Sequence, residues 1–252
     1  MINREKVLKV FAEYVDKYNA DDEKIKLKIE HTYRVSDLCE QIAISENMSE
    51  EDTTLAWLMG MLHDIGRFEQ IKRYGTFDDA KSIDHAKLGI EILFDDNYIR
   101  EFVIDSVYDD LIYKAINYHS SFELPDNLTK RELAFCNILR DADKIDILKV
   151  NIDTPIEQIY NVTTNMLKNS VISDEVLADF RQHKTILKSI RQTPVDHICG
   201  HIALVFGLCY PLSRQIVKEQ GYLKKLLCFK SDNPVTRQQF EALNEIMTTY
   251  LQ

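Results

Sequence analysis

Four histidines lie on the apolar faces of four different predicted helices: His31, His63, His85 and His119. A buried polar side chain is costly unless it is satisfied, and one such histidine alone is most often a hydrogen-bonded core residue. Four such histidines, together with Asp64 and a later aspartate, favour a metal site instead, because one divalent metal site could satisfy all of these buried polar side chains. Neutral imidazole and carboxylate oxygen are ligands that suit Mn, Fe, Co, Ni or Zn.

Helical periodicity predicts the elements that would position these side chains. His31 shares a stripe with Val35, and "MSEEDTTLAWLMGMLHD" begins at the N-cap Ser49 and ends at the His63-Asp64 pair. A helix that resumes at 84 carries His85, and one near 106–119 ends at His119. Residues 68–83 lose the pattern and are predicted to form a surface loop.

The later aspartate comes from "RDADKIDIL" in a segment, 130–150, that is apolar on more than one side and is therefore predicted to be buried. This stretch offers Asp141, Asp143 and Asp146, and periodicity alone does not choose among them.

Helical periodicity of the apolar residues also extends through most of the rest of the chain. Residues 151–173 are weakly patterned, and helices are predicted at about 174–183, 194–209, 211–228 and 234–251, three of which have a proline near the start. We find no strand-like alternation, so we predict an all-α protein with a functional core at 1–150 and a helical C-terminal extension at 151–252 packed on that core.

Composition narrows the class of protein. The 252 residues carry a net charge of −10, which disfavours binding to nucleic acid and to anionic membranes. No apolar run reaches about 18 residues, and the N-terminus is charged from residue 4. The five cysteines form no CxxC pair, so we expect buried free thiols and a cytoplasmic protein.

The ordered set of residues resembles the HD superfamily of metal-dependent phosphohydrolases, over residues from about 25 to 150. His31 in "EHTYRV", His63 and Asp64 in "LHDIGR", and Asp143 in "RDADKID" match the family's pattern. Asp143 is chosen by its similarity to the family's A-D-x-x-D stretch.

The resemblance extends to a subgroup with two further histidines and a binuclear centre, as in the HD-GYP phosphodiesterases. "DHAKLGIEIL" indicates His85 and "AINYHSS" indicates His119. The GYP signature itself is absent, with "NYHSSFELP" in its place, so the resemblance does not extend to a cyclic-dinucleotide substrate.

The resemblance implies an HD-domain helical bundle that holds one or two divalent ions (Mn, Fe, Co, Ni, Mg or Zn). His31, His63 and Asp143 would hold the first metal, His85 and His119 the second, and Asp64 would bridge them. Between two such ions, a water with a lowered pKa can attack phosphorus.

Cations beside this centre are candidates for binding substrate phosphate. Arg67 lies three residues after Asp64, where the family often has a basic residue, and Lys144 follows Asp143. Lys144 and Arg34 are weaker candidates than Arg67, and each of the three is otherwise explained as a surface charge or a salt-bridge partner. We predict catalytic roles for Asp64, Arg67 and Lys144.

Three further histidines and one aspartate carry open alternatives. Asp84 could orient His85 or cap the helix that starts there. His197 and His201 have metal-ligand spacing, but packed polar groups are the favoured interpretation, and His183 is predicted to be exposed at a helix end.

The leading functional hypothesis is a two-metal phosphohydrolase that acts on a small phosphorylated substrate, such as a nucleotide. A di-iron oxygenase of the inositol-oxygenase type and a non-catalytic, metal-stabilised regulatory module are the alternatives. A homo-oligomer is compatible with each of these three hypotheses.

Overall fold

The computed structural model describes residues 2–155, 157 and 162–252, and in these residues the regular structure is helical with no strand. The predicted all-α fold is therefore confirmed. Chain contacts divide the protein into two compact units, Met1–Ala142 and Asp143–Gln252, and the division falls inside one long helix. The predicted boundary at residue 150 lies further along that helix, and the packing of an extension on the core stays a prediction.

The first unit contains helices α1 to α7, and helix α8 continues from it into the second unit. These helices are α1 Arg4–Val15, α2 Glu23–Ser45, α3 Glu50–Leu62, α4 Ile65–Tyr74, α5 His85–Ile90, α6 Ile99–Phe102, α7 Asp109–Tyr118 and α8 Lys130–Asp153. Helix α2 packs along α3, while α5 packs on both α4 and α7. A π-helical turn at Glu91–Asp95 follows α5 directly. The apolar faces of these helices form a core that includes Phe11, Leu58 and Phe68.

The sequence prediction of a loop at 68–83 was wrong for the first part of that segment, which belongs to helix α4. Ile65, Phe68 and Ile71 lie three residues apart and are all buried, so they give α4 an inward stripe. The helix ends where Gly75 adopts a left-handed conformation with φ of 66°. The segment 75–83 is the part of the predicted loop that is not α-helical.

The second unit holds the remaining described helices: α9 Thr164–Asn169, α10 Asp174–Arg181, α11 Pro194–Ile202, α12 Pro211–Gln220, α13 Tyr222–Leu227 and α14 Pro234–Tyr250. Each of the three prolines is the first residue of its helix, as predicted. The predicted helix at 211–228 is interrupted because Gly221 has φ of 72°. Part of 151–173 lies outside the described residues.

The cysteine side chains agree only in part with the sequence prediction. Cys39, Cys136 and Cys199 are buried free thiols as expected, but Cys209 and Cys228 are exposed, so the prediction was wrong for these two. Within the described residues, no helix is both long and apolar enough to cross a membrane.

Candidate metal centre

Five predicted ligands converge in the first unit, and each comes from the end or the face of a different helix. His31 lies within α2, His63 ends α3, Asp64 precedes α4, His85 begins α5 and His119 ends α7. All five side chains are buried. Their ligand atoms form two groups, His31–His63–Asp64 and Asp64–His85–His119, within each of which the atoms lie no more than 4.8 Å apart.

The Asp64 carboxylate lies between the two histidine pairs. Its Oδ2 atom is 3.4 Å from the Nε2 atoms of both His31 and His63. Its Oδ1 atom is 3.5 Å from His85 Nε2 and 3.8 Å from His119 Nε2. Each oxygen therefore faces one pair, which is the arrangement that a carboxylate shared by two cations requires.

Hydrogen bonds on the outer side of three imidazoles fix which nitrogen faces inward. His63 Nδ1 donates to the Gly60 carbonyl at 2.7 Å, and His119 Nδ1 donates to the Ile116 carbonyl at 2.6 Å. His85 Nδ1 donates to Asp79 Oδ2 at 2.8 Å. Because these acceptors place the proton on Nδ1, the Nε2 lone pair of each neutral ring points toward Asp64.

The chemistry of this donor set fits a divalent metal. The Nε2 atoms of His85 and His119 are 3.0 Å apart, and those of His31 and His63 are 3.2 Å apart. Burial, followed by the charge of Arg67, lowers the pKa of His85 to about 3 despite the opposing effect of Asp79, so its ring is neutral at pH 7. The facing lone pairs of His85 and His119 repel at this distance, and a cation that accepts both removes the repulsion.

Two glycines bring the ligand-bearing helices together. A Cβ atom on Gly60 of α3 would lie 2.5 Å from Ser36 Cα of α2. One on Gly66 of α4 would lie 2.3 Å from the His85 carbonyl oxygen and 2.6 Å from the backbone nitrogen of Gly89. These backbone contacts set the separation of His31 from His63 and of Asp64 from His85.

Asp79 supports the second histidine pair, and the sequence analysis missed it. Its carboxylate accepts from His85 and also, at 2.8 Å each, from Arg67 and from the buried Gln70. Burial raises the pKa of Asp79, but the hydrogen bond from His85 and the Arg67 charge lower it more, so the group is ionised at neutral pH. No periodic signal marks Asp79, because it begins a 3-10 helix of only three residues, Asp79–Lys81, between α4 and α5.

The two alternatives for Asp84 are now distinguished. Its Oδ1 atom accepts from the backbone nitrogens of Ala86 and Lys87, so it caps helix α5. Asp79 makes the hydrogen bond to the His85 ring, although ligand atoms of Asp79, Asp84 and His85 also lie within 4.8 Å of one another.

Lys28 is the second residue that the sequence analysis missed. Its Nζ atom is 2.5 Å from Asp64 Oδ2, and its side chain is 16 % exposed. Burial raises the pKa of Asp64, but the charge of Lys28 is the first of the effects that lower it well below its usual range. One signal was available: Lys28 lies three residues before His31, on the same face of α2.

The later aspartates differ in burial. Asp141 belongs to the first unit and is fully buried, whereas Asp143, the predicted ligand, is half-buried and belongs to the second unit. Asp146 is buried in the second unit. The assignment of Asp143 as a ligand stays a prediction, and burial favours Asp141.

The predicted cations lie in different surroundings. Arg67 Nη1 donates at 2.8 Å to Gln70, to Asp79 and to the Phe77 carbonyl, and Arg67 Nε lies 3.6 Å from Asp64 Oδ1. Lys144 Nζ donates to the Gly207 carbonyl at 2.6 Å within the second unit. The catalytic roles of both residues stay predictions.

The remaining histidines contribute to no potential metal-binding group in the described part of the chain. Burial, followed by Arg191 and His197, lowers the pKa of His201 to about 3, which agrees with the interpretation of a packed polar group. His183 is exposed and lies two residues beyond the last residue of α10, which agrees with the predicted helix-end position.

Comparison with known families agrees with this geometry. Residues 29–148 match the model of the HD domain. The match contains the four converging histidines and Asp64 together with Asp141 and Asp143. Residues 29–148 therefore form an HD domain, which indicates the superfamily of metal-dependent hydrolases. No curated protein and no solved structure matched the chain.

Proposed function

We propose that the protein is a metal-dependent phosphohydrolase that cleaves a phosphomonoester or phosphodiester of a small, nucleotide-like substrate. The observation that carries the proposal is Asp64, whose two carboxylate oxygens each face one histidine pair. His31 and His63 would hold one divalent ion and His85 and His119 another, with Asp64 shared. Bound metal would supply a water of lowered pKa and would polarise the phosphoryl oxygens.

The protein's own residues hold the centre in a form ready for this chemistry. Outer hydrogen bonds fix the orientation of His63, His85 and His119, so no ring has to rotate when ligands bind. The buried surroundings limit solvent and strengthen electrostatic interactions at the reacting group. Arg67 and Lys28 place positive charge next to Asp64, where a phosphoryl group would approach.

Metal analysis by mass spectrometry, with a hydrolysis screen on the same sample, tests the proposal. We expect about two transition-metal equivalents per chain and release of phosphate or alcohol from aryl phosphates or nucleotides in the presence of Mn or Co. His63→Ala should lose metal while keeping its helical circular-dichroism spectrum. A metal-loaded protein that turns over no mono- or diester across a broad nucleotide panel would contradict the proposal. Substrate-dependent oxygen consumption would instead indicate an oxygenase.

The identity of the later aspartate ligand can be tested in the same assay. Asp141→Asn and Asp143→Asn change charge equally and lie two residues apart on one helix. Because Asp141 is fully buried and Asp143 is not, we expect the larger loss of metal for Asp141→Asn. Selective loss in Asp143→Asn would support the family-based assignment instead.

The net charge of −10 and the three buried thiols support a cytoplasmic protein that binds a small molecule rather than nucleic acid. The oligomeric state, for which a homo-oligomer remains part of the hypothesis, can be measured by light scattering.

A further inference from the structure

The ammonium group of Lys28 lies beside the carboxylate at the middle of the candidate metal centre. Its Nζ atom is 2.5 Å from Asp64 Oδ2, the oxygen that faces His31 and His63. The same Nζ lies 5.4 Å from the centroid of the half-buried Phe77 ring. A lysine ammonium has three donors, and Asp64 is the one hydrogen-bond acceptor that Lys28 has among the described residues. Donors therefore remain for another acceptor.

Arg67 flanks the other oxygen of Asp64 but is held differently. Its Nη1 donates to three acceptors in α4 and the segment that follows it, so the guanidinium is anchored. Its Nε atom, 3.6 Å from Asp64 Oδ1, is buried and lacks a hydrogen-bond partner within the described chain. The guanidinium carbon lies 5.7 Å from the centroid of the Phe77 ring, so both cations contact the same aromatic side chain.

Arg67 is paired with the ionised carboxylate of Asp79, so Lys28 is the cation beside Asp64 that still has donors to offer. A phosphomonoester is a dianion near neutral pH and has three unesterified oxygens, whereas a phosphodiester is a monoanion with two. The attraction of a fixed cation for a ligand scales with ligand charge, and a charge-assisted hydrogen bond to phosphate is among the stronger polar contacts. The overall charge of −10 repels a dianion, so local cations have to provide its binding site.

We propose that Lys28 binds the terminal phosphoryl group of the substrate and, with Arg67 as the anchored partner, makes the site selective for dianionic phosphomonoesters over phosphodiesters. The inference rests on the proposed phosphohydrolase function and names the substrate class within it. Lys28 carries the selectivity because its flexible ammonium can contact Asp64 and a phosphoryl oxygen together.

The test compares Lys28→Met with the matched control Lys26→Met. Lys26 lies on the same helix, and its side chain is 48 % exposed and pairs with Glu23. Metal content is measured on each protein, inorganic phosphate affinity by calorimetry on the metal-loaded form, and kcat/KM for an aryl phosphomonoester and the corresponding diaryl phosphodiester. Circular dichroism confirms folding, and Lys28→Arg retains the charge.

We expect Lys28→Met to keep its metal and to lose about 10- to 100-fold in phosphate affinity and in monoester kcat/KM. Diester kcat/KM should fall by no more than about threefold, Lys28→Arg should recover part of the loss, and Lys26→Met should match the unmodified protein. Equal losses for monoester and diester, unchanged phosphate affinity, or loss of metal in Lys28→Met would each overturn the inference. If the unmodified protein hydrolysed neither ester, the proposed function would fail, while the phosphate affinities would still decide whether Lys28 binds phosphate.

Discussion

At the scale of single residues, the protein concentrates its chemistry in one dipeptide. His63 is the last residue before the chain leaves α3, with φ and ψ of −56° and −40°, and Asp64 departs from helical geometry at −104° and 17°. This change of backbone direction lets adjacent side chains reach the same centre. His63 faces one partner histidine, while Asp64 reaches both pairs.

Asp79 provides the first prediction at this scale. Because its carboxylate holds the Nδ1 proton of His85, Asp79→Asn should weaken by about 10- to 100-fold the binding of the metal that His85 and His119 would hold under the proposed function. The metal that His31 and His63 would hold should be retained. Titration against a chromophoric chelator would show the loss of one of two binding steps.

The matched control for this prediction is Asp84→Asn. Asp84 caps α5, and asparagine is an equally good N-cap, so this variant should bind both metals normally. Equal weakening in the two variants would show that the charge of the segment, and not the hydrogen bond to His85, supports the site.

At the scale of elements, the centre depends on how closely the helices approach. The contact of α4 with α5 leaves no room for a side chain at Gly66, where the nearest atoms belong to backbone. The Tyr14 hydroxyl of α1 donates to the Ile65 carbonyl at 3.1 Å, immediately after Asp64, and burial raises the pKa of Tyr14 to about 12. The position of Asp64 is therefore determined by backbone contacts of α4.

Gly66→Ala should destabilise the protein and separate Asp64 from His85. The added Cβ would meet the His85 carbonyl oxygen at 2.3 Å, and backbone cannot move aside as a flexible side chain can. We expect a loss of about 1–3 kcal/mol in the free energy of unfolding and reduced metal content. Urea denaturation and metal analysis would measure the two effects.

Gly89→Ala is the control because it lies at the same helix contact with more space. Its Cβ would lie 3.4 Å from Ile65 Cγ2 and 3.6 Å from Gly66 N, which are ordinary contact distances. This variant should retain its metal and its stability within about 1 kcal/mol. Similar behaviour of the two variants would argue against the close contact at Gly66.

At the scale of the whole molecule, each compact unit contains a histidine whose pKa is lowered to about 3. Burial is the main cause for both His85 and His201, and nearby Arg67 and Arg191, respectively, add to it. A buried neutral histidine takes up a proton in the unfolded chain before it does so in the folded chain. Each therefore makes folding less favourable as the pH falls below about 6.5.

Stability measured with a metal chelator present should fall as the pH is lowered from 6.5 toward 4. His85 accounts for at most about 1.4 kcal/mol per pH unit in this window. Asp79, whose pKa is lowered, adds its loss only below its ordinary value of 3.8. His85→Gln should flatten the pH dependence of urea denaturation relative to the unmodified protein.

The exposed His183, replaced by Gln, is the control for that experiment. A pH profile that is equally steep in the unmodified protein and in His85→Gln would exclude His85 as a source of the acid sensitivity.

The amino-acid sequence by itself determined the helical class of the fold and the set of histidines with Asp64. Both depend on local information, because helical periodicity follows from successive residues and an imidazole on an apolar face is conspicuous wherever it occurs. The short helix α4 was missed because its stripe, Ile65, Phe68 and Ile71, is interrupted by polar residues.

Only the tertiary structure decided which groups support and surround the centre. Lys28 contacts Asp64 across 36 positions, and Asp79 contacts His85 from a three-residue 3-10 helix, so neither contact has a local pattern. Both depend on helix crossings that backbone contacts at Gly60 and Gly66 determine. Likewise, the burial that distinguishes Asp141 from Asp143 depends on how α8 is oriented within the folded protein, and not on their shared chemistry.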